Sequence, residues 1–160
     1  MKQFAELYKR VVAFNDKAGV KMEPFDTPNW WKAVELQAKL LVEESQESLD
    51  AAELGDKVEL VDGCIDVLFL GFMFANMLQQ AGYDVIGAFE AVCDNNDSKV
   101  FSSYYEAVEE KEQLEERDDQ EYTIETSVYD GMPYYSVRRF DGKIMKKVGF
   151  VPVNLDEFVP

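Results

Sequence analysis

Leu41-Val42-Glu43-Glu44-Ser45-Gln46-Glu47-Ser48-Leu49-Asp50-Ala51-Ala52-Glu53-Leu54-Gly55-Asp56-Lys57-Val58-Glu59-Leu60-Val61-Asp62-Gly63-Cys64-Ile65-Asp66 reads as two helices joined by a tight turn. Glu43, Glu44 and Glu47 are three and four residues apart, so they share one side of the first helix. Gly55-Asp56 is turn chemistry too short for anything but an antiparallel return. From Val58 to Leu78 nearly every residue is apolar, yet Glu59, Asp62 and Asp66 recur at helical spacing on one stripe. That helix has no polar face wide enough to hold its acids in water, so Asp62 and Asp66 are expected on a buried stripe. Buried acids are costly unless a cation neutralises them. Oxygen-only ligands suit a hard cation, Mg²⁺ or Mn²⁺. A metal site shared by the two acid sets follows. For Glu43, Glu44 and Glu47 taken alone, a solvated acidic face explains the spacing as well.

Outward from this pair the helical period continues. Residues 3–18 carry Phe4, Leu7, Tyr8, Val11, Val12 and Phe14 on or near one face, and Gly19 stops them. Two prolines make residues 23–28 a loop. A long helix over about 29–53 follows, with Thr27 or Asn29 as cap, then a helix over about 57–81, and a fourth over about 83–95 that runs into a polar break at Asp94–Lys99. The acidic segment Tyr104–Asp119 reads as a solvated helix. After it the period changes to two. Tyr122–Tyr129 and Tyr134–Phe140 flank Asp130-Gly131, a hairpin turn, and Asp141-Gly142 makes a second turn before Lys143–Val148.

Composition narrows the function classes. The chain has 160 residues, 47% of them hydrophobic, with a net charge of −16, enough for one folded domain with a sizeable core. The charge argues against a nucleic-acid or anionic-membrane partner. The chain has no histidine, which removes Ser-His and Cys-His nucleophilic pairs and histidine-bearing zinc or di-iron sites. Cys64 and Cys93 do not form a disulfide framework. The first residues lack the apolar core of a signal peptide, and the run Ile65–Leu78 is too short to span a bilayer. A soluble cytoplasmic protein is expected. Trp30 and Trp31, opening the long helix, are expected in a core or interface rather than stacked on a base.

Glu44-x-x-Glu47, a gap, and a second acidic helix ending on Asp66 resemble the MazG-type all-α nucleoside triphosphate pyrophosphohydrolases, whose pattern is Glu-x-x-Glu followed by Glu-x-x-Asp. Here the second Glu falls on Gly63. The phosphoribosyl-ATP pyrophosphohydrolase-like branch often has an acid one residue earlier, where Asp62 stands. Val92-Cys93-Asp94-Asn95-Asn96-Asp97-Ser98-Lys99 is similar to that branch's Asn-x-Ser-Lys segment. Gly142-Lys143-Ile144-Met145-Lys146, with Phe150 and Pro152, is similar to its Gly-Lys-x-x-Lys segment. Phe14-Asn15 stands where the branch has Phe-His. The likeness runs over about residues 8–99 and 141–155, carried by the order and spacing of the motifs.

The resemblance implies an all-α fold: a MazG-like bundle of four to five helices, with a small inserted β-hairpin near the C-terminus. Residues 1–160 would form one domain with an insertion at about 102–140. It implies Mg²⁺ or Mn²⁺ held by Glu44, Glu47, Asp62 and Asp66, with Glu59 in reserve. Glu43 would accept a proton from the attacking water. Asn15, Asn96, Lys99, Lys143 and Lys146 would contact a nucleoside triphosphate. The products would be a nucleoside monophosphate and pyrophosphate, and the protein a homo-oligomer, dimer or tetramer. Two rivals accompany it: an acidic interaction protein that mimics nucleic-acid charge, and a member of the same family that binds nucleotide without cleaving it.

Overall fold

The computed structural model describes the backbone of residues 2–160 and the side chains of residues 5–160. Phe4, expected on the inner face of the first helix, has its side chain outside that range. Among the described residues the chain is mostly helical, with five α-helices and a hairpin near the C-terminus: α1 (Lys2–Ala18), α2 (Pro28–Leu54), α3 (Lys57–Gln80), α4 (Val85–Asp97), β1 (Val100–Phe101), α5 (Tyr104–Asp118), β2 (Thr123–Tyr129) and β3 (Met132–Arg138). It divides into two compact units, residues up to 85 with 158–160, and residues 86–157.

In the first unit the caps fall where the residues ask for them. Thr27 Oγ1 accepts from the Trp30 N–H at 3.2 Å, and Pro28 takes the first helical position, so Thr27 rather than Asn29 is the cap. Gly55 ends α2 at φ 70°, a left-handed conformation that glycine adopts without strain. Asp56 then caps α3, accepting from the N–H groups of Val58 and Glu59 at 3.0 and 3.2 Å. Two residues thus turn the chain back on itself, and α2 packs along α3. The pair is locked further along by Gln37, whose buried amide donates to the Leu70 carbonyl at 3.1 Å. α1 packs on α3 through edge-to-face ring pairs, Tyr8 with Phe72 and Phe14 with Phe69, and the Tyr8 hydroxyl donates to Gln79 at 3.0 Å. Trp30 is buried among Phe25, Trp31 and Tyr83, whereas half of Trp31 is exposed.

The second unit has its own core of Phe101, Ala107, Leu114, Tyr122 and Val137. Asp130 and Gly131 both take positive φ, 50° and 77°, the twist that suits a two-residue hairpin between β2 and β3. The sheet gains a third strand, in the order β1-β3-β2, because Val100 and Phe101 pair with Ser136 and Tyr135. Lys143–Val148 contributes only an isolated bridge, Ile144 to Arg138. The solvated reading of the acidic helix is corrected here. Ala107 and Leu114 of α5 are fully buried on the sheet, and only the rest of that helix meets water.

Candidate functional site

The turn at Gly55-Asp56 sets the register of α2 on α3, and that register brings the two acid sets opposite one another. Glu44 is half-buried between the helices. Its carboxyl is raised above the ordinary range by burial first, then by the negative charges of Glu47, Asp66, Glu43 and Asp62. Carboxylates on two helices therefore act on one proton site. Among the described residues, no three Asp, Glu or Cys side chains are grouped closely enough to hold a metal ion as they stand. The donors are all carboxylate oxygens, the chemistry a hard dication takes, and the charge crowding on Glu44 is of the kind a dication relieves.

The expectation that Asp62 and Asp66 lie on a buried stripe is corrected. Asp62 is exposed and Asp66 half-buried. Their apolar neighbours are exposed too, Val58 at 76%, Val61 at 63% and Ile65 at 56%. The greasy sequence of the first half of α3 thus marks a largely open apolar face and not a core helix. Gly63, by contrast, is buried against α2. A Cβ there would stand 2.6 Å from Ser48 Oγ and 3.2 Å from the Ser48 backbone nitrogen. The backbones approach closely enough that even a methyl group there needs the Ser48 hydroxyl to turn away and the α2 backbone to give by a few tenths of an ångström, so glycine at 63 serves the packing of α2 on α3.

In the second unit, Lys99 and Lys146 converge on one ring. Their ammonium groups lie 5.7 and 4.8 Å from the centroid of Phe150. Lys99 also donates to the Asn96 side chain, in the last turn of α4. Neighbouring Asn95 ties α4 to the tail through the Val151 carbonyl at 2.9 Å. Lys143 is exposed beside the Asp141-Gly142 turn, its backbone N–H donating to Asp141 at 3.2 Å.

Asn15 lies on α1 with its Oδ1 buried and unpartnered. On the same helix, a groove of about 470 Å³ opens between α1 and α3, floored by Leu7, Phe14, Ile65, Phe69 and Phe72 and edged by Arg10 and Lys17. Sequence reasoning did not single out Arg10 or Lys17. Their signal was two cations two turns apart on one helical face in a chain with a net charge of −16. No helix among the described residues is long and apolar enough to cross a membrane.

The family model for phosphoribosyl-ATP pyrophosphohydrolase matches residues 13–96, a stretch that includes Asn15, both acid sets and Asn96. No curated protein and no solved structure matches the chain.

Proposed function

The chain belongs to the phosphoribosyl-ATP pyrophosphohydrolase family, and from that premise we propose that it hydrolyses a nucleoside triphosphate between the α and β phosphates. The products are a nucleoside monophosphate and pyrophosphate. The observation that carries this reading is the crowding of four other carboxylates, from both α2 and α3, on Glu44. Glu44, Glu47, Asp62 and Asp66 would hold Mg²⁺ or Mn²⁺, with Asp62 supplying the carboxylate that Gly63 cannot. Such an ion, when bound, neutralises phosphate charge and makes a bound water more acidic. Glu43, exposed beside the ligands, accepts the proton of the attacking water. Lys99, Lys143 and Lys146 contact phosphate oxygens as point charges, and Asn96 and Asn15 orient the nucleotide by hydrogen bonds.

The exposed apolar face of Val58, Val61 and Ile65 supports a homo-oligomer in which a second copy covers α3. The charge-mimic reading draws on the exposure of Glu43, Glu47 and Asp62. It requires no turnover, so one experiment separates the two. Purified protein is incubated with each standard NTP and dNTP and Mg²⁺, and the products are resolved by chromatography. Monophosphate with pyrophosphate from at least one nucleotide is the expected result. Diphosphate as first product, or no turnover of any nucleotide, rejects the proposal.

A further inference from the structure

β2 is the open edge of the sheet in the second unit. The order β1-β3-β2 leaves no strand on its outer side among the described residues. The seven residues Thr123–Tyr129 contain no proline and no lysine, two of the devices that commonly protect an edge. Which backbone groups face outward follows from the hairpin. Tyr129 and Met132 are partners across the two-residue turn. In such a hairpin the closing pair exchanges both hydrogen bonds, and bonded and non-bonded pairs then alternate. Thr123, Glu125, Ser127 and Tyr129 therefore bond to β3. Ile124, Thr126 and Val128 direct their N–H and C=O groups away from it. Two observations agree with this phase. Val128 stands opposite Pro133, which has no N–H to give. Val137, opposite Ile124, sends its carbonyl away from β2 to accept from Met145 N–H at 2.8 Å.

We infer that β2 pairs antiparallel with β2 of a second copy of this chain, centred on Thr126, so that two three-stranded sheets join into one. A two-fold antiparallel pair can use the outward groups fully only when its centre falls on Thr126. In that register Thr126 faces its own copy, Ile124 faces Val128, Glu125 faces Ser127 and Thr123 faces Tyr129. β-branched residues meet β-branched or aromatic residues, which are favourable cross-strand pairs, and the strand's single charge meets a hydroxyl rather than another charge. Centring on Glu125 would oppose two carboxylates, and centring on Ser127 would leave Ile124 without a strand partner. The register also covers Val128 and Tyr129, which are 72% and 75% exposed. This edge lies outside the matched residues 13–96 and is separate from the α3 face. Each copy carries −16, so repulsion opposes the pairing and added salt strengthens it.

The test is sedimentation equilibrium of the full chain, with far-UV circular dichroism on each variant. Thr126→Pro removes an outward N–H and leaves every β2–β3 bond in place. Ser127→Glu sets a carboxylate opposite Glu125 twice per dimer, and Ser127→Lys sets an ammonium there. Thr126→Pro is expected to abolish one association step. Ser127→Glu is expected to weaken that step by roughly tenfold, and Ser127→Lys to tighten it by a similar factor. Association unchanged by all three variants overturns the inference, as does a wild type with no self-association sensitive to residue 127. If Thr126→Pro unfolds the sheet, the opposite effects of the two Ser127 variants still decide. A wild type that binds an extended peptide of another protein at β2 but not its own copy also overturns it.

Discussion

Gly63 and Glu44 lie across the same helix contact and respond to opposite physics. At Gly63, an added methyl gains helix propensity of about 1 kcal/mol but meets Ser48 Oγ at 2.6 Å and the Ser48 backbone at 3.2–3.3 Å. The hydroxyl can rotate away and the backbone cannot, and overpacking of this kind costs about 1–3 kcal/mol. Gly63→Ala is therefore expected to destabilise by up to about 2 kcal/mol in urea unfolding. Ser48→Ala should recover part of that loss. At Glu44 the folded carboxyl is raised by burial and by its neighbours. A raised acid favours the fold while it is protonated, and that contribution is lost as pH rises through its folded value. At neutral pH the charged Glu44 thus strains the apo protein. Glu44→Gln is expected to raise the Tm of metal-free protein by about 1–2 °C, the scale of a single surface charge. Glu47→Gln and Asp66→Asn should leave the fold intact and abolish pyrophosphate release. Near wild-type turnover in either variant at saturating Mg²⁺ would remove that residue from the proposed ligand set.

Among the elements, those set by local chemistry were legible in the chain and those set by tertiary contact were not. Gly55-Asp56, Asp130-Gly131 and Thr27 announce their turns and cap through φ preference and side-chain acceptors, which act within a few residues. β1 is two residues long and exists only because β3 lies beside it. The burial of Ala107 and Leu114 is hidden in an acidic helix for the same reason. The opposition of the acid sets was readable from the short turn, whereas the exposure of Asp62 was not, since it depends on what covers α3. The close approach at Gly63 is likewise a fact about two helices. For α5 the consequence is measurable. Leu114→Ala is expected to cost about 2–5 kcal/mol, while exposed Glu112→Ala should stay within about 0.5 kcal/mol. At the end of α5, Asp118 accepts from Arg117 and from the Tyr122 hydroxyl, each at 2.6 Å. These bonds hold its carboxyl down at about 2 against an ordinary value of 3.8. A depressed acid stabilises the fold fully above its unfolded value and loses that contribution as pH falls through its folded one. Between pH 4 and about 2 the second unit should therefore lose stability, and Asp118→Asn should flatten that slope in Tm measured against pH. An unchanged slope would show that other carboxylates govern the acid limb.

At the scale of the whole molecule, charge dominates. A chain carrying −16 repels itself, so any salt is expected to stabilise it by screening. A divalent ion bound by the α2–α3 carboxylates would act in addition, and by a different law. A ligand that binds only the folded state stabilises by mass action, about 2.7 kcal/mol at a hundred times its Kd, which in a protein of this size raises Tm by roughly 5–10 °C. Screening depends on ionic strength alone. Protein stripped with chelator should therefore melt higher in millimolar MgCl₂ or MnCl₂ than in NaCl of equal ionic strength. The excess should vanish in Glu47→Gln with Asp66→Asn combined, while the NaCl response stays. Variants of the β2 edge, remote in sequence from the acid sets, should keep the Mg²⁺ excess in full. Equal melting in the two salts would mean the carboxylates answer only to screening. The proposed metal site would then fail even if a nucleotide were turned over.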